Sequence, residues 1–345
     1  MRAMILAAGL GTRMRPLTET LPKPLLPFML QPILGYLLSQ LRKQGIRDIA
    51  INLHHHANQL QQWLGDGSRW NVHLHVSHEV TVLGSAGGIK QVEPFLSEAP
   101  FLVMNADVLT TLDFRAVWEW HCQHGAQVTM VLRPDAMAPQ YGPVLVNQQG
   151  QVLQINGHPS SPTALAGQET IFTGIQIISP QVFERIPQGV FSSTTADIYP
   201  ALVKQNAVCG YSYSGYWMDV GTPSRYLQAH WDLLDGRLGD QWMTRLPGGA
   251  QAFLTNGSAP TNQLPAEIIP PVILDRGVQI APGARVGPYA ILGADCYIDT
   301  KAEIRKSVAL ENVHIAPYAT INHSILGKGA YIPEGSRIHH TVSVR

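Results

Sequence analysis

Charge is what this sequence has little of. Lys and Arg number 24 and Asp and Glu 24, so 14% of the 345 residues are charged and the formal net charge is zero. That balance argues against a broad nucleic-acid-binding face and leaves a local cationic pocket as the electrostatic feature to look for. Cysteine is scarce as well: Cys122, Cys209 and Cys296 stand far apart, with no CxxC spacing. Neither a disulfide framework nor a zinc site is expected, and the pattern suits a reducing compartment. No apolar run reaches the roughly 18 residues of a membrane-spanning helix. No basic, cleavable apolar leader precedes the first strand, so a cytoplasmic location is the expectation. Against these absences stands an apolar fraction of 45%, which marks an ordered chain long enough for two domains.

From residue 1 to about 235, apolar runs alternate with amphipathic stretches. AMILAA (3–8) reads as a short buried strand. In PILGYLLSQLRKQG (32–45), Ile33, Leu34, Leu37, Leu38 and Leu41 share one helical face that stops at Gly45. DIAINL (48–53) and VHLHVS (72–77) read as strands, GSAGGIKQVEPFL (84–96) as a loop running into a helix, and FLVMNAD (101–107) as an apolar strand ending in an acid. This recurrence predicts an α/β fold: a Rossmann-like mixed, mostly parallel sheet with helices on both faces and ligands beyond the carboxyl ends of its strands. Gly9, Gly84 and Asp107 fall at such ends. After Gly125 the pattern turns β-rich, with a helix at 195–205 that Pro200 kinks or breaks, and a further helix from Pro223. Residues 1–239 are read as one domain, and the loop-rich stretch 240–270 as a linker.

From residue 272 the period becomes six. Leu274, Ile280, Val286, Leu292, Ile298, Ile304 and Leu310 recur at that spacing, each preceded two positions earlier by Val272, Val278, Ala284, Ala290, Cys296, Ala302 or Val308. The phase slips by one at Val313/Ile315 and again at Ser324/Leu326. Neither helix nor simple strand has this period. It resembles the hexapeptide repeats of left-handed parallel β-helices, and twelve such pairs over 271–345 predict about four coils with the slips taken up at corners.

The chemistry is concentrated in LAAGLGTRMRPLT (6–18), where a strand ends in a glycine turn succeeded by Arg13 and Arg15. Glycines let backbone N–H groups approach phosphate oxygens, and guanidinium groups neutralise them. An ordinary β-to-α turn with a surface arginine is the plainer alternative. A Walker A loop needs a Gly-Lys-Ser/Thr ending that is missing here, and a Rossmann fingerprint needs a glycine where Met14 stands. Next in the chain comes Lys23, held between Pro22 and Pro24, a second cation on a stiff loop. Asp107 and Asp219 are hard oxygen ligands of the kind that hold Mg²⁺ together with water and phosphate; alone, each reads equally as a helix cap or turn residue.

Together LAAGLGTRMRPLT, Lys23-Pro24, LGSAGG (83–88), the NAD of MNADV (104–108), FTGIQIISP (172–180) and YWMDVGTP (216–223) resemble the sugar-1-phosphate nucleotidylyltransferases, or NDP-sugar pyrophosphorylases. The repeat domain is similar to that of mannose-1-phosphate guanylyltransferases, while LGDGS and FTG are similar to segments of N-acetylmuramate-phosphate uridylyltransferases. The resemblance implies a Mg²⁺-dependent transfer from an NTP to a sugar 1-phosphate, with GTP and mannose 1-phosphate as the first expectation. Glucose 1-phosphate or an amino-sugar 1-phosphate with UTP or dTTP is the alternative. Arg13 and Lys23 would be catalytic and Asp107 and Asp219 would bind the metal. Substrate would meet Leu6, Ala7, Ala8, Gly9, Gly11, Thr12, Glu79, Gly84, Ser85, Gly87, Asn105, Thr173 and Gly174, with Gly84 and Gly87 giving room. Many relatives carry Glu-Lys-Pro where this chain has Gly157-His158-Pro159, so His158 stands where a sugar-phosphate lysine is expected. The His54–His56 run reads as an exposed loop entry. Two other classes stay open: a non-catalytic regulatory relative, and an acyltransferase using a β-helix histidine. A homo-oligomer assembled through the β-helix is expected.

Overall fold

The computed structural model describes residues 1–135, 142–161, 167–239, 250–253 and 266–344, together with Ala138 and Trp242. Most of the stretch read as a linker, 240–270, lies outside the described residues; its described parts include two short strands, Gln251–Phe253 and Glu267–Ile268. The chain divides into two compact units, one of Met1–Leu10 with Leu34–Asp219, the other of Gly11–Ile33 with Val220–Arg345.

In the first unit the strands β1 (Ala3–Leu6), β2 (Asp48–Leu53), β3 (His73–His78) and β4 (Phe101–Asn105) run parallel in the order β3-β2-β1-β4. Consecutive residues Ala3, Met4 and Ile5, like Ile49, Ala50 and Ile51, are fully buried. Side chains alternate across a strand, so both faces are covered, which is why these runs read as uniformly apolar. One face, with Met4, Ala50 and Val103, packs under helix α1 (Gly84–Gln91) and the helix Tyr199–Lys204. That second helix continues directly from a π-helical stretch, Thr194–Ile198, and Pro200 sits just past the junction, so the expected helix over 195–205 is broken in type at the proline.

The β-rich stretch supplies β5 (Val108–Thr110), β6 (Val128–Pro134), β7 (Val144–Val146), β8 (Val152–Ile155), β9 (His158–Pro159), β10 (Gln168–Ile178) and β11 (Val208–Ser212). β10 runs antiparallel to β4, β6 and β7, and the sheet continues through β8 to β9 at its edge, giving ten strands of mixed direction. β12 (Trp217–Asp219) pairs antiparallel with β5 in a separate ladder.

In the second unit, residues 11–33 form three single-turn 3₁₀ helices and a hairpin of Pro27–Phe28 with Gln31–Pro32. Helix α2 (Pro223–Leu234) packs on that hairpin: the Tyr226 hydroxyl donates to the Pro27 carbonyl, and the His230 ring lies 4.8 Å from that of Phe28. Its other contacts reach residues 266–344, where Trp231 meets His323 at 5.4 Å and Asp235 accepts from the Tyr289 hydroxyl at 2.7 Å.

Residues 266–344 form a three-sided parallel β-helix. Val272 pairs with Ala290, eighteen residues on, while Ala290 pairs with Ser307, seventeen on. The inward stack of Ala284, Val286, Cys296, Ile298, Ala302 and Ile304 follows the six-residue rule. The slip, however, comes one repeat earlier than expected. Ser307 and Ala309 take the inward places assigned to Val308 and Leu310, because one corner per coil is a residue short at Lys306, His323 and His340, all with positive φ. Serine repairs that corner: the Ser307 hydroxyl donates to the Arg305 carbonyl and accepts the Ser324 N–H, and Ser324 does the same for Asn322 and Thr341. No helix among the described residues is long and apolar enough to cross a membrane.

Burial pushes His230 down to about 4, with its ring hydrogen-bonded to the Tyr226 carbonyl. The unfolded chain, with an ordinary histidine near 6.5, therefore takes up the proton first, so stability is full above pH 6.5 and falls as pH drops toward 4. Between pH 7 and 5 this amounts to about 2 kcal/mol. Urea unfolding of His230→Gln at the two pH values should show that increment missing; an unchanged pH dependence would contradict the assignment.

Candidate active site

The site begins where β1 ends. The Leu6 carbonyl accepts from Ala106 N–H at 3.0 Å, and Ala7 N–H donates to Asn52 Oδ1 at 2.8 Å, so the strand end is tied to both neighbours. Ala7 and Ala8 are buried; Gly9 and Leu10 emerge into solvent, and nothing lies within 4 Å of where a Gly9 Cβ would stand.

Gly11, at φ +62°, opens the second unit. Its carbonyl accepts from the Thr18 hydroxyl at 2.8 Å, and a Cβ there would lie 3.1 Å from Thr18 Cγ2 and 3.4 Å from Lys23 Cβ. The turn bearing Thr12 and Arg13 and the turn bearing Lys23 are thereby packed on one another. Arg13 is exposed, Lys23 half-buried between its buried prolines, and the hydrogen bond from Tyr226 to Pro27 holds the next segment of chain.

The two acids come together within the first unit. Asp107 lies in the two-residue turn between β4 and β5, and Asp219 stands opposite Val108 in the β5–β12 ladder, one residue from Asp107. Both are half-buried. Among the described residues no group of three or more His, Cys, Asp or Glu is gathered to hold a metal ion. A two-carboxylate donor set fits a hard divalent cation whose remaining ligands are water and phosphate, and it does not fit a closed protein cage. β10 supports this corner: Gly174, at φ +76°, leaves the space filled by the Asn105 amide, and the Thr173 carbonyl accepts from Trp217 Nε1 at 2.9 Å.

Several expected substrate contacts have other partners. LGSAGG is itself the start of α1 and not a loop before it. Its glycines give room to the protein's own chain: a Cβ on Gly84 would lie 2.5 Å from the Ser192 carbonyl and one on Gly87 2.8 Å from the Val190 carbonyl. That Ser192 carbonyl caps the helix, accepting from Ala86 and Gly87 N–H, and the Ser85 hydroxyl bonds Thr194. Glu79 is buried, with one oxygen accepting from Asn52 Nδ2 and the other from Leu83 N–H. The Thr173 hydroxyl is buried and donates to the Val131 carbonyl. His54, in place of an exposed loop entry, is half-buried with its ring on the Glu79 carbonyl.

His158 is set apart. Asn156 and Gly157, both with positive φ, form a two-residue hairpin turn between β8 and β9, so His158 is exposed on the edge strand, four places from β4. The Asn-Gly pair was the signal for that turn. Asn52, Gly88 and Ser192 were not singled out by the sequence; a lone asparagine inside the apolar run DIAINL was the one available hint.

The nucleotidyl transferase family model matches residues 2–236, and the GMPPB C-terminal domain model matches residues 268–344. A UTP–glucose-1-phosphate uridylyltransferase of Synechocystis sp. is 30% identical, over 93% of this chain and 86% of its own length. An N-acetylmuramate alpha-1-phosphate uridylyltransferase of Neisseria meningitidis serogroup B is 36% identical over 66% and 96%. A mannose-1-phosphate guanyltransferase of Aspergillus oryzae is 28% identical over 99% and 90%. Among solved structures, HddC from Yersinia pseudotuberculosis superposes with a TM-score of 0.56 at 26% identity, over 66% of this chain and 97% of that one.

Two glycine substitutions separate packing from ligand approach. Gly87→Ala should cost about 2 kcal/mol of stability, because backbone at 2.8 Å has to move. Gly9→Ala should leave the thermal midpoint within about 1 °C yet lower turnover about tenfold if a ligand approaches the turn, because the added methyl meets no protein atom. Full activity in Gly9→Ala would show that no ligand comes that close.

Proposed function

The chain belongs to the nucleotidyl transferase family, and from that premise we propose that it joins GTP to mannose 1-phosphate, releasing pyrophosphate. It is an enzyme of the sugar-1-phosphate nucleotidylyltransferase class. The observation that carries the mechanism is the β5–β12 ladder, which sets Asp219 beside Asp107 at the end of β4. These two carboxylates would hold a Mg²⁺ ion, which when bound supplies charge neutralisation to the phosphates. An oxygen of the sugar phosphate forms a bond to the α-phosphorus of the NTP as the bond from that phosphorus to the β-phosphate oxygen breaks. The electron pair leaves with pyrophosphate, and no net proton transfer is required. What the protein supplies is position and counter-charge. Arg13 is assigned to the charge that develops at the α-phosphate and on departing pyrophosphate, and Lys23 to the same phosphates. The backbone from Leu6 to Thr12 is assigned to ribose and phosphate.

The choice of GTP and mannose is supported by the repeat-domain match and by the Aspergillus oryzae relative, which spans almost the whole chain. The Synechocystis relative favours a second reading, UTP with glucose 1-phosphate. The β-helix is assigned to assembly of a cytoplasmic homo-oligomer. In support, His314 lies between Tyr297 and Tyr331, tilted to the first ring and edge-on to the second, and His323 lies against Trp231 and His340, contacts that suit packing better than acyl transfer.

A matrix of ATP, GTP, CTP, UTP and dTTP against mannose, glucose and amino-sugar 1-phosphates, with Mg²⁺ and pyrophosphate as readout, tests the reading. GTP with mannose 1-phosphate should give the highest kcat/KM. Asp107→Asn should lower that rate about a thousandfold while the protein still folds. Undiminished release in Asp107→Asn would remove the metal assignment, and no release by the native protein with any pair would remove the function.

A further inference from the structure

We propose that Asn52 and Glu79 are positioning residues for the nucleotide: a buried amide–carboxylate pair that fixes the register between the end of β1 and the start of α1. The inference rests on the reading of Leu6–Leu10 and LGSAGG as two walls of the NTP site.

The pair has four bonds, all within the first unit. Asn52 Oδ1 accepts from Ala7 N–H at 2.8 Å, and Asn52 Nδ2 donates to Glu79 Oε1 at 2.6 Å. Glu79 Oε2 accepts from Leu83 N–H at 2.9 Å, and the Glu79 carbonyl accepts from His54 Nδ1 at 2.9 Å. Ala7 is the residue from which the glycine turn departs, and Leu83 is the residue from which α1 departs. A continuous chain of hydrogen bonds therefore runs from one wall to the other through two side chains.

Burial gives that chain its leverage. Asn52 is 2% exposed and Glu79 5%. At such depth an unmet donor or acceptor is costly, so each group holds its partner in place instead of exchanging it for water. The carboxylate also sits at the start of α1, where the helix dipole favours negative charge. Gly88 completes the fit. A Cβ there would lie 2.6 Å from Asn52 Nδ2 and 2.7 Å from Glu79 Oε1, so α1 settles onto the pair only because position 88 is glycine. Glu79 thus acts through the backbone it holds and does not itself touch substrate.

The donor and acceptor pattern suggests a polarity-swap test. In Asn52→Asp alone, two carboxylate oxygens face one another across the 52–79 contact. In Glu79→Gln alone, the amide cannot accept from both Asn52 and Leu83. In the double variant Asn52→Asp/Glu79→Gln, the carboxylate at position 52 accepts from Ala7 N–H and from the amide at position 79, whose oxygen accepts from Leu83 N–H. Shape, net charge and every bond are retained, with one hydrogen bond reversed.

The measurements are calorimetric binding of GTP and of UTP with Mg²⁺, without sugar phosphate, and the separate KM values for NTP and sugar phosphate. Each single variant should weaken NTP binding about tenfold or more and change the sugar-phosphate KM less; the double variant should recover to within about threefold of the native protein. Singles that bind NTP normally, equal losses for both substrates, or a double variant that fails to fold or to recover would each overturn the proposal. Because NTP binding is read without turnover, a native protein inactive with every substrate pair would count against the function and leave this test in force.

Discussion

Helix α1 stands closer to its neighbours than any side chain would allow, and the geometry of the site depends on that approach. Gly84 and Gly87 admit the carbonyls of Ser192 and Val190, and Gly88 admits the Asn52–Glu79 pair. Two of these neighbours also bond the helix start: the Ser192 carbonyl caps it, and Glu79 takes the N–H of the residue before it. The N–H groups of Ala86 and Gly87 are thus met by the protein's own chain. These bonds fix the start of α1 in place. In the proposed site the glycines of LGSAGG would act through packing, whereas Gly9, with open space beside it, would admit a ligand directly.

The rest of the chemistry comes from electrostatics in a chain with no net charge. Triphosphate and sugar phosphate are both strongly anionic, so their approach must be neutralised locally. In the proposed mechanism the carboxylate of Asp219 on its short ladder and that of Asp107 in the turn beside it would do this through a divalent cation, and a cationic segment would do it directly. Arg13 and Lys23 lie on turns packed together by Gly11 and Thr18. The displacement needs no proton taken from a nucleophile, because the attacking oxygen is already ionised. No Ser–His or Cys–His couple is called for.

Much of this was legible in the amino-acid order. The six-residue period reflects a structure in which the same two inward positions recur on every face, and it was readable because the core accepts only small and aliphatic side chains there. Its phase was not fully readable. Val308 and Leu310 look as apolar as their predecessors, and only the short corner at Lys306, with Ser307 repairing the freed N–H, puts Ser307 and Ala309 inside. The acids and the glycine turn were likewise visible as strand-end residues. The partners of LGSAGG were not, since Ser192 lies a hundred residues away and acts through its carbonyl, which carries no side-chain signature. Glu79 reads as a substrate contact because acidic residues are usually exposed; its burial with Asn52 is a long-range pairing that local pattern does not encode. Asn156-Gly157 was readable as a hairpin turn and explains why His158 sits on an edge strand and not beside the acids.

The central claim is a single displacement at the α-phosphorus, driven by position and counter-charge without a covalent enzyme intermediate. The stereochemical course tests it most directly, using a nucleoside triphosphate made chiral at the α-phosphorus by sulfur substitution and the sugar 1-phosphate that the protein turns over. The account predicts inversion of configuration in the sugar nucleotide, with the β- and γ-phosphates leaving together as pyrophosphate. Retention, which requires two displacements through a bond to the protein, would contradict it.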